Sequence, residues 1–256
     1  MSHFSDTSTT SKPVVPAISL SHLRKTYQKT EALQGIDLDI AEGEFFALLG
    51  ANGAGKTTTI GILTGLVNKT SGEARLFGKD VDKDYLLARS FIGLVPQEFN
   101  FDIFETVYNI LYFNAGYFGI PKKEREGKIK KILQDLHLWD RKDSPALQLS
   151  GGMKRKLMIA RALVHEPKIL ILDEPTAGVD VETRQQIWKY MKQLNEQGTT
   201  ILLTTHYIEE AEQLCKRIAI IHEGKIIKID TTKKLLEGEH KKLEDVFIHL
   251  TKSYEE

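Results

Sequence analysis

Gly50, Ala51, Asn52, Gly53, Ala54, Gly55, Lys56 and Thr57 fill the pattern GxxxxGK[ST], directly after the apolar run Phe45 to Leu49. Glycines at these positions let successive backbone N–H groups turn inward on phosphates, and the helix that follows offers the positive end of its dipole. Lys56 can then reach the β and γ phosphates, and the Thr57 hydroxyl can ligate Mg²⁺. A strand-like run before the loop and helical spacing after it argue against a chance glycine-rich turn.

A second constellation supplies acids. The run Ile169 to Leu172 ends in Asp173 and Glu174. The carboxyl ends of parallel strands form a ligand crevice, so Asp173 is expected near Mg²⁺, through water, and Glu174 near the γ phosphate. Glu174 is then the candidate to accept a proton from, or polarise, the attacking water. A third stretch, Leu149-Ser150-Gly151-Gly152-Met153, opens a helical pattern with Met153, Leu157, Ala160 and Val164 on one face. Ser150 is a good N-cap and the glycines expose more N–H groups, so this is a second helix start able to bind an anion. Asn68-Lys69-Thr70-Ser71 lacks the Asp of a guanine-reading NKxD motif.

Positioning these groups requires a sheet. Phe45 to Leu49, Ile92 to Val95, Ile169 to Leu172, Ile201 to Leu203 and Ile218 to Ile221 are short runs rich in Ile, Leu and Val, as suits strands buried on both faces. Crossover helices fit between them, for example Val181 to Glu196, with apolar Val181, Ile187, Trp188, Met191 and Leu194. The alternation implies an open, mainly parallel sheet with helices on both faces. From about Gln97 to Leu149 the spacing is helical with no convincing strand, which reads as a helical insertion. Ala17 to Leu23 and Ile36 to Ile40 alternate as a one-face-buried antiparallel sheet would.

Composition sets the outer limits. The chain has 256 residues, 41% hydrophobic and 27% charged, with 35 Lys and Arg against 35 Asp and Glu. Collagen-like, disordered and disulfide-scaffold classes are excluded. A formal net charge of zero argues against a general nucleic-acid binder, and no nucleic-acid partner is expected. The single cysteine, Cys215, cannot form an internal disulfide and is expected to be an inert packed residue. No segment approaches the roughly 18 consecutive apolar residues of a spanning helix. Residues 1–16, rich in Ser and Thr, read as a flexible N-terminal tail.

Together these motifs carry a resemblance. Leu149 to Met153 resembles the signature motif of ATP-binding cassette (ABC) proteins, with Met153 where the family usually has Gln. Tyr27 matches the adenine-stacking aromatic, Gln97 the Q-loop, Ala177-Gly178-Val179-Asp180 the D-loop, and His206 the switch histidine. The likeness spans about Ala17 to Thr232. The run from Gly151 to Asp180, with His206 to Glu212, is similar to the ATPase subunits of bacterial type-2 ABC exporters, which include drug, polysaccharide and sodium efflux systems.

The resemblance implies an α/β fold, a P-loop NTPase cassette with a RecA-like parallel-sheet core, an N-terminal antiparallel β subdomain and an inserted α-helical subdomain. Its layout would be an ATP-binding domain over 17–235, the helical subdomain over about 98–160, and a C-terminal helical extension over 236–256. ATP would contact Tyr27, Gly50, Asn52, Gly53, Ala54, Gly55, Lys56, Thr57, Thr58 and Asp180, with Ser150, Gly151 and Gly152 acting from a second copy. Thr57, Gln97 and Asp173 would hold Mg²⁺, while Glu174, His206, Lys56 and Gln97 would serve catalysis. Two subunits would pair head to tail around two ATP and power an exporter through a separate transmembrane permease subunit, at the cytoplasmic face of the inner membrane. The alternative is a soluble, non-transport ABC ATPase with a regulatory or assembly role.

Eight aromatics follow Gln97: Phe99, Phe101, Phe104, Tyr108, Tyr112, Phe113, Tyr117 and Phe118. Phe104, Tyr108 and Tyr112 have the spacing of a helix stripe, the reading as insertion core. The competing reading is a groove for a short helix of the membrane subunit, with Phe99 and Phe101 its better candidates. Pro121 to Lys131, with six basic and two acidic residues, reads as a solvated helix face, with anionic lipid contact the lesser reading. Leu243, Val246, Phe247 and Leu250 have helical spacing and are expected to pack on the domain.

Overall fold

The computed structural model describes residues 15–237 and 242–255. The tail expected over 1–16 therefore lies outside the described residues except for Val15 and Pro16, as do 238–241 and 256 of the C-terminal stretch. In chain order the strands are β1 (Ile18–Tyr27), β2 (Thr30–Ile40), β3 (Phe45–Leu49), β4 (Ser71–Leu76) and β5 (Lys79–Asp80). They continue as β6 (Ile92–Val95), β7 (Ile169–Asp173), β8 (Thr200–Thr205), β9 (Arg217–His222) and β10 (Lys225–Thr231). The helices are α1 (Lys56–Leu63), α2 (Tyr85–Ser90), α3 (Val107–Tyr117), α4 (Lys122–Asp135) and α5 (Gly151–Leu163). After them come α6 (Val181–Glu196), α7 (Ile208–Leu214), α8 (Thr232–Leu235) and α9 (Leu243–Glu255).

All five apolar runs become strands of one six-stranded sheet, ordered β10-β9-β3-β8-β7-β6. Every pairing in it is parallel except β9 with β10. Every residue of β3, β7 and β8 is buried, as continuous apolar runs require when helices or a second sheet cover both faces. Alternation along the strands sends Phe45, Ala47 and Leu49 into one apolar cluster with Leu170, Leu172, Ile201 and Leu203. Phe46 and Leu48 enter another, with Ile169, Ile171 and Leu202.

The second cluster joins the parallel sheet to a four-stranded antiparallel sheet, ordered β2-β1-β4-β5. β1 and β2 bury Ile18, Leu20, Leu23, Ile36, Leu38 and Ile40, the alternation visible in the sequence. Strands β4 and β5 of this sheet were not read from the sequence.

The first cluster receives α3, α4, α5 and α6 through residues such as Leu111, Leu133, Leu157 and Ile187. Thr106 caps α3, its side chain accepting from the Asn109 N–H at 3.1 Å. This overturns the three-residue stripe: Phe104 precedes the helix, in a turn where its N–H donates to Asp102 Oδ1, and is 74% exposed. Tyr108 and Tyr112 do stack within the helix, with ring centroids 5.9 Å apart. In α4, Lys122, Lys123, Lys130 and Lys131 face solvent, as expected of the basic run. Arg125 instead lies over the Tyr112 ring and Lys128 pairs with Glu166. Leu243 and Val246 of α9 are buried in the same cluster as Ala211 and Leu214 of α7, with Phe247 and Leu250 against it. Among the described residues no helix is long and apolar enough to cross a membrane.

Candidate functional site

Because β3, β8, β7 and β6 are parallel neighbours, the segments leaving their carboxyl ends emerge along one sheet edge. Those segments carry the Gly50–Thr57 loop after β3, His206 after β8, Asp173 and Glu174 at the end of β7, and Gln97 after β6. The loop is tied to the neighbouring strand at its root, where the Gly50 N–H donates to the Thr205 carbonyl at 3.3 Å. Ala54 is buried and its carbonyl accepts from the Gly224 N–H. Gly53 and Gly55 adopt left-handed φ of +84° and +110°. Gly55 thereby becomes the N-cap of α1 and turns the chain into the helix.

Lys56 opens α1 and is 4% exposed. Its ammonium donates to the Gly50 and Ala51 carbonyls at 2.8 and 3.0 Å and stands 3.6 Å from Glu174 Oε1. Burial pushes its pKa down, and the Glu174 and Asp173 carboxylates oppose that shift. Asp173 accepts from Thr204 Oγ1 at 2.6 Å and from Thr57 Oγ1 at 3.4 Å. Burial pushes the Asp173 carboxyl up, against the pull of those hydroxyls and of Lys56.

Glu174 is the meeting point. Its Oε1 lies 2.9 Å from His206 Nδ1, and its Oε2 accepts from Gln97 Nε2 at 3.3 Å. Its backbone has φ +49°, a left-handed conformation that costs an L-residue on the order of 1 kcal/mol. The N–H donates to the Thr204 carbonyl at 3.0 Å, so the strained residue is anchored to β8. A cavity of about 320 Å³ opens here, lined by Asn52, Gly53, Gly55, Lys56, Thr57, Thr58, Gln97 and Glu174. Eight sequence-predicted residues thus share one hollow.

Other predicted residues stand elsewhere. Ser150 caps α5, accepting from the Met153 N–H at 3.3 Å, and both Ser150 and Gly151 are exposed. Asp180 caps α6 through the Thr183 N–H at 2.9 Å. The two helix starts abut, since a Cβ on Gly152 would lie 2.8 Å from Thr183 Cγ2. None of Ser150, Gly151, Gly152 and Asp180 lines the cavity of the same chain. Tyr27 ends β1, 43% exposed, with the Lys25 ammonium 4.6 Å over its ring, and does not line the cavity either. Met153 packs against the helical core, so its side chain is engaged in packing.

Three charged or polar residues of the site escaped the sequence reading. Thr204 holds Asp173 from inside β8. Glu210, 0% exposed, accepts from Thr176 Oγ1 at 2.8 Å and Trp188 Nε1 at 3.1 Å. It thereby joins the turn after Glu174 to α6 and α7. Arg155, 5% exposed, donates from Nη1 to the Pro96 carbonyl at 3.0 Å, next to Gln97. Strand register sets Thr204 beside Asp173, and α7 carries Glu210 four residues after His206, relations that the fold creates.

The chain has relatives that bear on this geometry. Residues 33–177 match the family described as ABC transporter. The Nod factor export ATP-binding protein I of Paraburkholderia xenovorans (strain LB400) is 42% identical over 211 residues, 82% of this chain and 69% of that protein. The linearmycin resistance ATP-binding protein of Bacillus subtilis (strain 168) is 40% identical over 214 residues, 84% of this chain and 69% of that protein. An ATP-binding cassette solved as a dimer in a post-hydrolysis state, bound to ADP and Pi, superposes with a TM-score of 0.77 at 30% identity, covering 84% of this chain and 98% of that one.

Proposed function

This chain belongs to the ABC transporter family as an ATP-binding subunit of the exporter type, and from that premise we propose a transport-coupled ATPase with the following division of labour. What carries the reading is the convergence of Lys56, Gln97 and His206 on the single carboxylate of Glu174, beside a loop shaped for phosphates. Glu174 takes the proton of the attacking water or polarises it, His206 holds Glu174 and the γ phosphate in register, and Lys56 spans the β and γ phosphates. Catalysis of this kind needs positioning and charge stabilisation more than covalent chemistry.

The loop fits a nucleotide triphosphate. Gly53 has open space where a Cβ would stand, and the ammonium of Lys56 already bonds two loop carbonyls. Mg²⁺ suits the oxygen set of Thr57, Asp173 and Gln97, where Thr57 and Asp173 already touch. When bound it supplies charge neutralisation on the phosphate oxygens. Thr204 keeps Asp173 aimed, and Thr57 offers its hydroxyl from the first turn of α1.

We further propose that Ser150, Gly151, Gly152 and Asp180 reach ATP from a second copy, since in their own chain they stand outside the cavity. The adenine would stack on Tyr27. Support for pairing comes from the dimer seen in the similar cassette. The domain layout we adopt is that expected from the resemblance: 17–235 with a helical subdomain over about 98–160, followed by the extension over 236–256.

For the membrane subunit, the aromatic groove hypothesis moves to new residues. Phe101 packs against the helical core, whereas Phe99 stays 44% exposed while one face meets the Arg155 guanidinium. A groove of about 360 Å³ instead lies between β6, α3 and α5, lined by Leu66, Arg89, Tyr117, Phe118, Arg161 and His165 among others. Tyr117 and Leu66 are 86% and 76% exposed, as anchors for a separate permease helix would be. The chain would then work at the cytoplasmic face of the inner membrane, held there by that subunit.

Glu174→Gln tests the catalytic core. The variant should bind ATP, accumulate as an ATP-bound dimer and lose turnover; hydrolysis at the wild-type rate would refute the assignment.

A further inference from the structure

Arg155 stands in the second turn of α5, the helix that Ser150 caps, and is 5% exposed despite its charge. Its Nη1 donates to the Pro96 carbonyl at 3.0 Å, and its guanidinium lies 5.3 Å from the centroid of the Phe99 ring. Pro96 and Phe99 flank Gln97 and Glu98, so one planar group grips both sides of the segment that presents Gln97 to Glu174. Burial works against the charge and lowers the guanidinium pKa, opposed at a distance by Asp173, Glu174 and Glu210.

Stability alone does not account for this arrangement. The buried Nε has no hydrogen-bond partner among the described residues, and an unpaired polar atom in the interior costs roughly 1–3 kcal/mol. An apolar side chain of similar volume would serve packing at least as well. What an apolar side chain could not do is hold the Pro96 carbonyl and cover Phe99 at once, a task suited to the flat, multiply donating guanidinium.

We propose that Arg155 is a positioning residue for ATP hydrolysis, which acts by fixing Gln97 against Glu174 and so ties the seat of α5 to the reacting end of the site. The proposal rests on the role given to Gln97 above. Arg155 does not line the cavity, and its effect passes through the Pro96–Phe99 segment.

A double-mutant cycle on the full chain tests it, with kcat and KM for ATP measured for Arg155→Met, Gln97→Ala and the pair. Arg155→Met should lower kcat on the order of 10- to 100-fold, the penalty of a misplaced group, with KM for ATP unchanged. In the Gln97→Ala background the same substitution should have no further effect on kcat. Arg155→Lys, which keeps a donor for Pro96, should recover part of the loss; it and Arg155→Gln run through the same cycle if Arg155→Met fails to fold. Multiplicative losses in the pair, or an unchanged kcat in the Arg155 variants, overturn the positioning role. An unchanged kcat in Gln97→Ala alone overturns the underlying reading of Gln97 instead.

Discussion

Glu210 offers a prediction in which stability and pH can be worked from the contacts. Its fully buried carboxylate accepts from Thr176 Oγ1 and Trp188 Nε1, both on the same oxygen. Glu210→Ala removes the acceptor from the buried Thr176 hydroxyl, at roughly 1–3 kcal/mol, and from the half-buried Trp188 N–H at less, while relieving the burial of a charge. A net loss of about 2–4 kcal/mol follows, which for a chain of this size lowers Tm by roughly 5–15 °C. Glu210→Gln keeps an acceptor for both donors and should melt no lower than wild type. The pH dependence has a definite sign. Burial holds the folded pKa of Glu210 above its unfolded value, against the opposing pull of Thr205, Thr176, Trp188 and Arg184. Between the two values the folded chain keeps a proton that the unfolded chain has released, so wild-type stability from this site falls as pH rises through that window. Glu210→Gln does not titrate, and its Tm advantage should therefore open from acid toward neutral pH. Thermal melts of the three proteins across pH read this directly. Equal losses for Ala and Gln at neutral pH, with a gap that does not change with pH, would refute the reasoning.

Other outcomes are expected. Gly53→Ala and Gly55→Ala share left-handed strain of about 1–2 kcal/mol, but only Gly55→Ala drives a Cβ to 2.9 Å from the Ala32 carbonyl and 2.8 Å from Leu33 Cδ2. Gly55→Ala should therefore melt clearly lower, with equal melting temperatures counting against the geometry. Leu66→Ala with Tyr117→Ala should abolish co-purification with the membrane subunit and leave ATP binding intact; retained co-purification would remove the groove from consideration. Cys215 is buried, with its thiol pushed well above the usual range chiefly by burial. Alkylation in the native state should be negligible and should track unfolding in a denaturant titration.

The parallel sheet was legible because burial on both faces demands unbroken Ile, Leu and Val, which Phe45 to Leu49 and Ile169 to Leu172 display. Strands β4 and β10 were not, since an edge or one-faced strand such as Ser71–Leu76 buries only Ala74 and Leu76. Phe104 misled for a local reason: the hydroxyl of Thr106 starts α3 three residues later than aromatic spacing suggests. The loop glycines, Lys56, Asp173 and Glu174 could be read because phosphate chemistry leaves few residue types free at those positions. Arg155, lying in a Lys-Arg-Lys run, and Glu210, in an acidic helix, resembled solvated charges. Only tertiary packing shows that each is turned inward.

The outward placement of Ser150 and Gly151 has a consequence for enzyme kinetics. On the pairing proposed above, a chain whose cavity holds the loop and the acid, but not the second helix start, contributes to two sites and completes neither alone. Turnover per chain should then rise with protein concentration in dilute solution and level off once pairing saturates. In mixtures, a copy damaged at Ser150 would silence the cavity of an intact partner while its own cavity stays competent, so inhibition would follow the random statistics of pairing. Tethering near a membrane would raise local concentration and remove the dependence, making the rate a report on assembly as much as on chemistry.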